Sequence, residues 1–176
     1  MTAQSLSIEA SADWRRAFPG AHVGCLEIQG VSNAERNPIL DARLADLQAE
    51  LRARYASADR ATLANLPVLR AYQAHYKPAG QTYHVQRQLE SVAFKGRELA
   101  SPGGTLVSAM FAAELSTLLL TAGHDVAALA PPLMVDCSRA GDRFVGISGQ
   151  ERELKPGDML MRDGRGIISA VLNGPD

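Results

Sequence analysis

The chain has 176 residues, 46% of them hydrophobic and 21% charged, with a formal net charge of −1. These are ordinary globular values for one domain with a proper core, and the balance argues against broad nonspecific nucleic-acid binding while leaving room for a local basic patch. Cys25 and Cys137 lie far apart with no ligand spacing, which predicts free thiols in a reducing compartment.

Residues 1 to 13 are small and polar and predict a loosely held lead-in. The stretch MTAQSLSIEASADWRR has no apolar h-region, so it is no secretory signal and a cytoplasmic location is expected. Trp14 and Phe18 follow, stopped by Pro19-Gly20. From His22 to Val31, Leu26 and Ile28 alternate with Glu27 and Gln29, predicting a strand. Asn37-Pro38 is a helix start, with Asn as N-cap and Pro at N1. Leu40, Leu44, Leu47, Leu51 and Tyr55 then recur at spacings of four and three, the mark of an amphipathic surface helix.

A connector from Ala56 to Pro67 leads to a second helical pattern, Val68, Leu69, Tyr72 and Tyr76, ended by Pro78-Ala79-Gly80. Val85, Leu89, Val92 and Ala93 predict a third helix capped by Gly96. The stretch from Gly103 to Ala130 carries one charge, Glu114, in its first twenty residues and predicts a buried central helix stopped at Gly123. Its apolar arc is Val107, Phe111, Leu115, Leu118 and Leu119, with Glu114, Thr117 and Thr121 opposite. A strip of small residues, Thr105, Ala109, Ala112 and Ser116, with Ser108 at its edge, leaves room for another backbone or for a ligand. After Pro131-Pro132, short strands at 133–138, 143–147, 159–162 and 167–172 alternate with turns, predicting antiparallel β-structure. Helices grouped before strands make the fold class α+β, expected as a single domain over residues 1–176.

No GxSxG, HExxH, P-loop or Rossmann glycine pattern occurs, and no catalytic residue is assigned. His22, His75, His84 and His124 show no metal-ligand spacing, and neither a metal nor a cofactor is expected. Gly103-Gly104 at a helix start offers either backbone N–H groups to an anion or a tight turn. Asp125 is placed to cap a short helical turn over Val126 to Leu129, and His124 beside it is a candidate ligand contact. From Pro67 to Gly103, Arg70, Lys77, Arg87, Lys95 and Arg97 face only Glu90 and Glu98, a balance of +3. With His75 and His84 and four interleaved aromatics, Tyr72, Tyr76, Tyr83 and Phe94, this is the candidate RNA contact: Arg70, Lys77, His84, Arg87, Lys95 and Arg97. The competing reading is an ordinary charged surface, with Tyr72 and Tyr76 on the apolar face of their helix.

Three ordered pieces carry a resemblance: HYKPAGQTYHVQRQLESVAFKGRELASPGG, LVSAMFAAELSTLLLTAGHDVAAL and FVGISGQERELKPGDMLMRDGRGIISAVLNGPD. Over residues 66–176 they resemble freestanding B3/B4 domain proteins, relatives of the B3/B4 module of the phenylalanyl-tRNA synthetase β subunit. The resemblance implies an α+β domain that binds tRNA. It also implies, as the activity of that module, hydrolysis of tyrosine wrongly attached to the tRNA for phenylalanine. A near-isostere of this kind is what a synthetic pocket rejects poorly. The implied ligand is an aminoacylated 3′ end or an amino-acid-like metabolite. The synthetase's Thr-Asn pair on the central helix falls on Ser108 and Ala109, so the hydroxyl is kept and the amide lost. Its His falls near Ala122, two residues from His124. Its pocket Glu falls where this chain reads Asn173-Gly174-Pro175-Asp176, leaving Asp176 as the stand-in, and a truncated or divergent member is expected. The implied ligand set is therefore Ser108, His124, Asn173, Gly174 and Asp176.

Overall fold

A computed structural model describes residues 6–99 and 104–175. Among these residues the chain forms two compact units, a sheet unit from residues 6–29 and 122–175 and a helical unit from residues 30–99 and 104–121. Helices and a mixed sheet make the fold α+β. No helix among the described residues is long and apolar enough to cross a membrane.

The sheet unit has a five-stranded sheet in the order β1-β2-β5-β6-β7, with β1 Ile8–Ala10, β2 Leu133–Cys137, β5 Met159–Arg162, β6 Ile167–Ala170 and β7 Gly174–Pro175. A separate hairpin pairs β3 Arg143–Val145 with β4 Glu151–Glu153. The lead-in is not loose throughout: β1 pairs in parallel with β2, setting Ile8 beside Leu133 and Ala10 beside Val135. Ser11 then caps α1, Ala12–Ala17, accepting the Trp14 N–H at 3.0 Å. Trp14 packs with Val135 and Cys137 in a buried cluster. A three-residue strand has no room to show a hydrophobic period, which is why its sequence reads as a tail. The other β-pairs are antiparallel. Phe144, Leu154, Leu160 and Ala170 form a second buried cluster, with Ile167 packed against it.

Residues 22–31 form no strand, against expectation. Leu26 is 82% exposed and Ile28 55%, so the alternation there has no surface to pack against. Alternation describes a half-buried strand only where a partner strand exists.

In the helical unit, α2 spans Pro38–Arg54, with the Asn37 side chain accepting the Ile39 and Leu40 N–H groups at 3.0 and 3.2 Å. It buries Leu44, Leu47, Gln48 and Leu51. The expected connector contains a short helix, α3 Arg60–Ala64, capped by Asp59. Next come α4, Pro67–Tyr76, and α5, His84–Lys95, which ends on Gly96 at φ 63°. The core holds Leu63, Leu69, Tyr83, Val85, Leu89 and Leu115 at 1% exposure or less.

The last helix, α6, spans Gly104–Thr117, and it is not the buried rod its composition suggests. Among its residues only Glu114 and Leu115 are buried, while Leu106 is exposed. The charged residue expected to face outward is the one taken inside. The helix also stops six residues before Gly123, with Leu118 at φ 62°, a left-handed backbone that is strained for leucine. The local chemistry accounts for the stop. Ser116 and Thr117 hydroxyls donate to the Ala112 and Ala113 carbonyls at 2.7 Å each. Beyond them, the Leu120 N–H donates to the Tyr72 hydroxyl at 2.9 Å and the Thr121 N–H to Glu114 Oε1 at 2.9 Å. Side chains thus satisfy the backbone that a longer helix would have satisfied itself.

Candidate nucleic-acid interface

Arg70 lies on α4, Lys77 in the 3-10 turn Lys77–Ala79, His84, Arg87 and Lys95 on α5, and Arg97 just beyond it. All six are exposed. At 100° per residue, His84, Arg87, Ser91 and Lys95 fall within an arc of about 80° on α5. Among the described residues, none of Arg70, Lys77, Arg87, Lys95 and Arg97 takes part in an ion pair. The helical unit's pairs are Arg36–Asp41, Arg43–Glu50, Arg60–Glu90 and the long His84–Glu114 contact.

The interleaved aromatics are placed differently from the expectation of a stacking surface. Tyr72 and Tyr83 stack on each other with centroids 4.0 Å apart and planes 11° from parallel, and Tyr76 tilts against Tyr83 at 5.3 Å. Tyr76 and Tyr83 are buried. These rings pack on one another between α4 and the start of α5, with Tyr72 half-buried; Phe94, 38% exposed, is the aromatic of the four that is exposed. Burial, reinforced by Tyr72 and by the carboxylate of Glu114, pushes the Tyr83 hydroxyl well above the usual phenol range. It remains a donor, bonded to the Leu118 carbonyl at 3.1 Å.

Beside the exposed cations runs a groove of about 370 Å³ lined by Arg60, Gln73, Lys77, Gln81, Thr82 and Gln86, among others. Its floor is a polar ladder. Gln73 Nε2 donates to Gln86 Oε1 at 2.9 Å, Gln86 Nε2 to Glu90 Oε1 at 3.0 Å, and Arg60 Nε to Glu90 Oε2 at 2.8 Å. The two buried members of the ladder, Gln86 and Glu90, thus find partners within the chain.

The residues expected around an aminoacyl end are divided. Ser108 is on α6 of the helical unit, and its hydroxyl donates to the Gly104 carbonyl at 3.0 Å. His124, Asn173 and Gly174 belong to the sheet unit, and Asp176 lies outside the described residues. Neither unit contains the set. Gly174 is used in the β6–β7 pairing opposite Ala170, with φ 88°. His124 lines a hollow of about 320 Å³ with Gly123, Asp125, Ala128, Leu129 and Ile168. Asp125 caps the turn Val126–Ala128 as its position suggests, accepting the Ala127 N–H at 2.9 Å. The small-residue strip is open in part, since Ala109 and Ser116 are exposed.

Gly103 lies outside the described residues, but the start of α6 is occupied by the protein itself. Asn33 Oδ1 accepts the Leu106 N–H at 3.0 Å and the Ala34 carbonyl accepts the Thr105 N–H at 2.9 Å. A Cβ on Gly104 would stand 2.7 Å from Asn33 Oδ1, so this approach requires glycine. Gly104 takes a left-handed φ of 81°, and the Thr105 and Leu106 amides beside it are already met within the chain.

The feature that sequence reasoning missed is a buried carboxylate. Glu114 is 2% exposed; Oε1 accepts both the N–H and the hydroxyl of Thr121, at 2.9 and 3.0 Å. Its other oxygen, Oε2, has no hydrogen-bond partner among the described residues and lies 3.8 Å from His84 Nε2. Thirty residues separate the two in sequence, and no spacing rule links them. Among the described residues, no group of three or more His, Cys, Asp or Glu side chains is arranged to hold a metal ion.

No family model, no curated protein and no solved structure matches this chain.

Proposed function

We propose that the helical unit binds the phosphate backbone of RNA, with tRNA as the class suggested by the sequence resemblance. The observation that carries this reading is the set of five exposed cations, Arg70, Lys77, Arg87, Lys95 and Arg97, that no carboxylate among the described residues neutralises. An arginine already paired must give up its partner before it can hold a phosphate; these five need give up nothing. The aromatic part of the earlier expectation is not retained, because the tyrosines are committed to one another. Ester hydrolysis is not included, since Ala109 lacks the amide of the synthetase pair. The test is equilibrium binding of tRNA at about 50 and about 200 mM salt. Binding at low salt that weakens steeply at high salt is expected. Undetectable binding at low salt ends the RNA reading.

A second reading draws on one specific observation, the hollow beside His124. At about 320 Å³ it lies at the small end of ligand-pocket sizes, about 300–1,000 Å³. It suits an amino-acid-like metabolite. Amino acids and adenylate analogues that raise Tm by mass action favour it, and a flat thermal shift across the panel removes it.

A further inference from the structure

Glu114 is buried, its Oε1 is fully used by Thr121, and its Oε2 has nothing to bond. A buried carboxylate oxygen in that condition is costly, and His84 Nε2 stands 3.8 Å from it. That side chain is 47% exposed and reaches protons from solvent. Neutral imidazole in its Nε2–H tautomer offers a donor without charge; imidazolium offers the same donor with a full charge, and the charge-assisted bond is the stronger of the two.

Among the described residues Glu114 makes no other ion pair. Tyr83, the residue before α5, also faces this carboxylate. From α4, Tyr72 holds the Leu120 N–H, and Tyr76 packs on Tyr83. The residues that α2 buries are Leu44, Leu47, Gln48 and Leu51, none of them charged. Its Arg43 is paired with Glu50, and Arg52 donates to the Val92 and Gly96 carbonyls. Thr121, the residue that Glu114 holds, is the last of the helical unit, and the chain passes into the sheet unit at Ala122.

We propose that His84 and Glu114 form a proton-operated latch on residues 118–121, the segment by which the chain leaves the helical unit. With the proton on His84, the imidazolium closes onto Oε2, fixes the carboxylate and tightens its two bonds to Thr121. Without it, the contact loses its charge, the carboxylate is held less firmly and the exit segment opens more often. The charge of the pair exists only with the proton bound, so the added stabilisation belongs to the acid side and is lost as pH rises. The latch is independent of RNA binding and stands or falls without it.

The test is amide hydrogen exchange of residues 118–121, corrected for the intrinsic pH dependence of exchange, in the full chain at pH 5.5 and 7.5. Protection at Thr121 is expected to be about three- to ten-fold higher at pH 5.5. His84→Gln, a change at a half-exposed side chain, should abolish that difference while leaving protection elsewhere in α5 unchanged. Glu114→Gln, which keeps an acceptor for Thr121, should abolish it too. Equal protection at both pH values, or a difference that survives in His84→Gln, overturns the latch. Protection that falls on acidification also overturns it, since the carboxylate itself is then taking up the proton.

Discussion

Five arginines of the sheet unit sit on carboxylates, whereas one stretch of the helical unit carries five cations that do not; elsewhere the helical unit pairs Arg36, Arg43 and Arg60. In the sheet unit Arg16, Arg139, Arg143, Arg162 and Arg165 are all paired with carboxylates. The centre of that arrangement is Asp136, whose side chain is 5% exposed; it accepts the Ser11 hydroxyl at 2.6 Å and Arg162 Nε at 3.1 Å, with Arg139 at 3.4 Å. Burial alone pushes its carboxyl up, but Ser11, the Cys137 amide, Arg139 and Arg162 together hold it below the usual carboxylate range. In the helical unit the stretch from Arg70 to Arg97 presents five cations with no such partners among the described residues. In the sheet unit, Arg143 and Arg162 pair across neighbouring strands; the five cations from Arg70 to Arg97 are the ones the proposed RNA contact uses.

This contrast is open to direct attack. The largest effect is expected at Asp136→Asn, which strands Arg162 and Arg139 beside a neutral amide. Breaking a fully buried pair costs about 3–5 kcal/mol. Arg162 is 26% exposed and keeps Asp142 at 2.9 Å, so about 2–3 kcal/mol is expected in chemical denaturation. The pH dependence has a definite sign. A carboxyl whose folded-state pKa is depressed contributes stability above its unfolded value, about 3.9, and loses it as pH falls through the lower folded value. Wild-type protein should therefore weaken below about pH 4, and Asp136→Asn should weaken less over the same interval.

Tyr83→Phe comes next. It removes the donor to the Leu118 carbonyl and leaves the ring stack, so a loss of about 1 kcal/mol is expected with Tyr72 still packed. Near-ultraviolet circular dichroism that stays native while Tm drops supports a clamp role for the hydroxyl. An unchanged Tm contradicts it. Smaller still is Arg143→Gln in the sheet unit. Its pairs with Glu151 and Glu153 are more than half exposed on both sides, and a change within about 0.5 kcal/mol is expected.

How much of this was legible in the sequence depends on whether the signal was local. The start of α2 was readable because Asn37 and Pro38 satisfy its first amides by themselves. The end of α5 was readable because Gly96 takes a left-handed backbone that most residues avoid. Asp125 capped the turn its position predicted. The failures are non-local. β4 is Glu151–Glu153, exposed throughout and placed opposite Arg143 by charge, so no hydrophobic period marks it. In α6 the apolar content was plain, but which side packs is decided by α2 and α5, and the packing took Glu114 inward. The exposed cations were legible residue by residue. The tyrosine stack and the His84–Glu114 contact were not, since each joins residues on different helices.

The central claim is that the unpaired cations of the helical unit, and not the paired ones of the sheet unit, carry RNA. The most direct measurement is the salt dependence of tRNA affinity for wild type, the double variant Arg87→Gln/Lys95→Gln, and Arg143→Gln. Neutralising two phosphate contacts should flatten the slope of log affinity against log salt by roughly 1.4–1.8, with stability unchanged within about 0.5 kcal/mol, while Arg143→Gln matches wild type. A slope that is the same for all three proteins, or that falls with Arg143→Gln instead, contradicts the account.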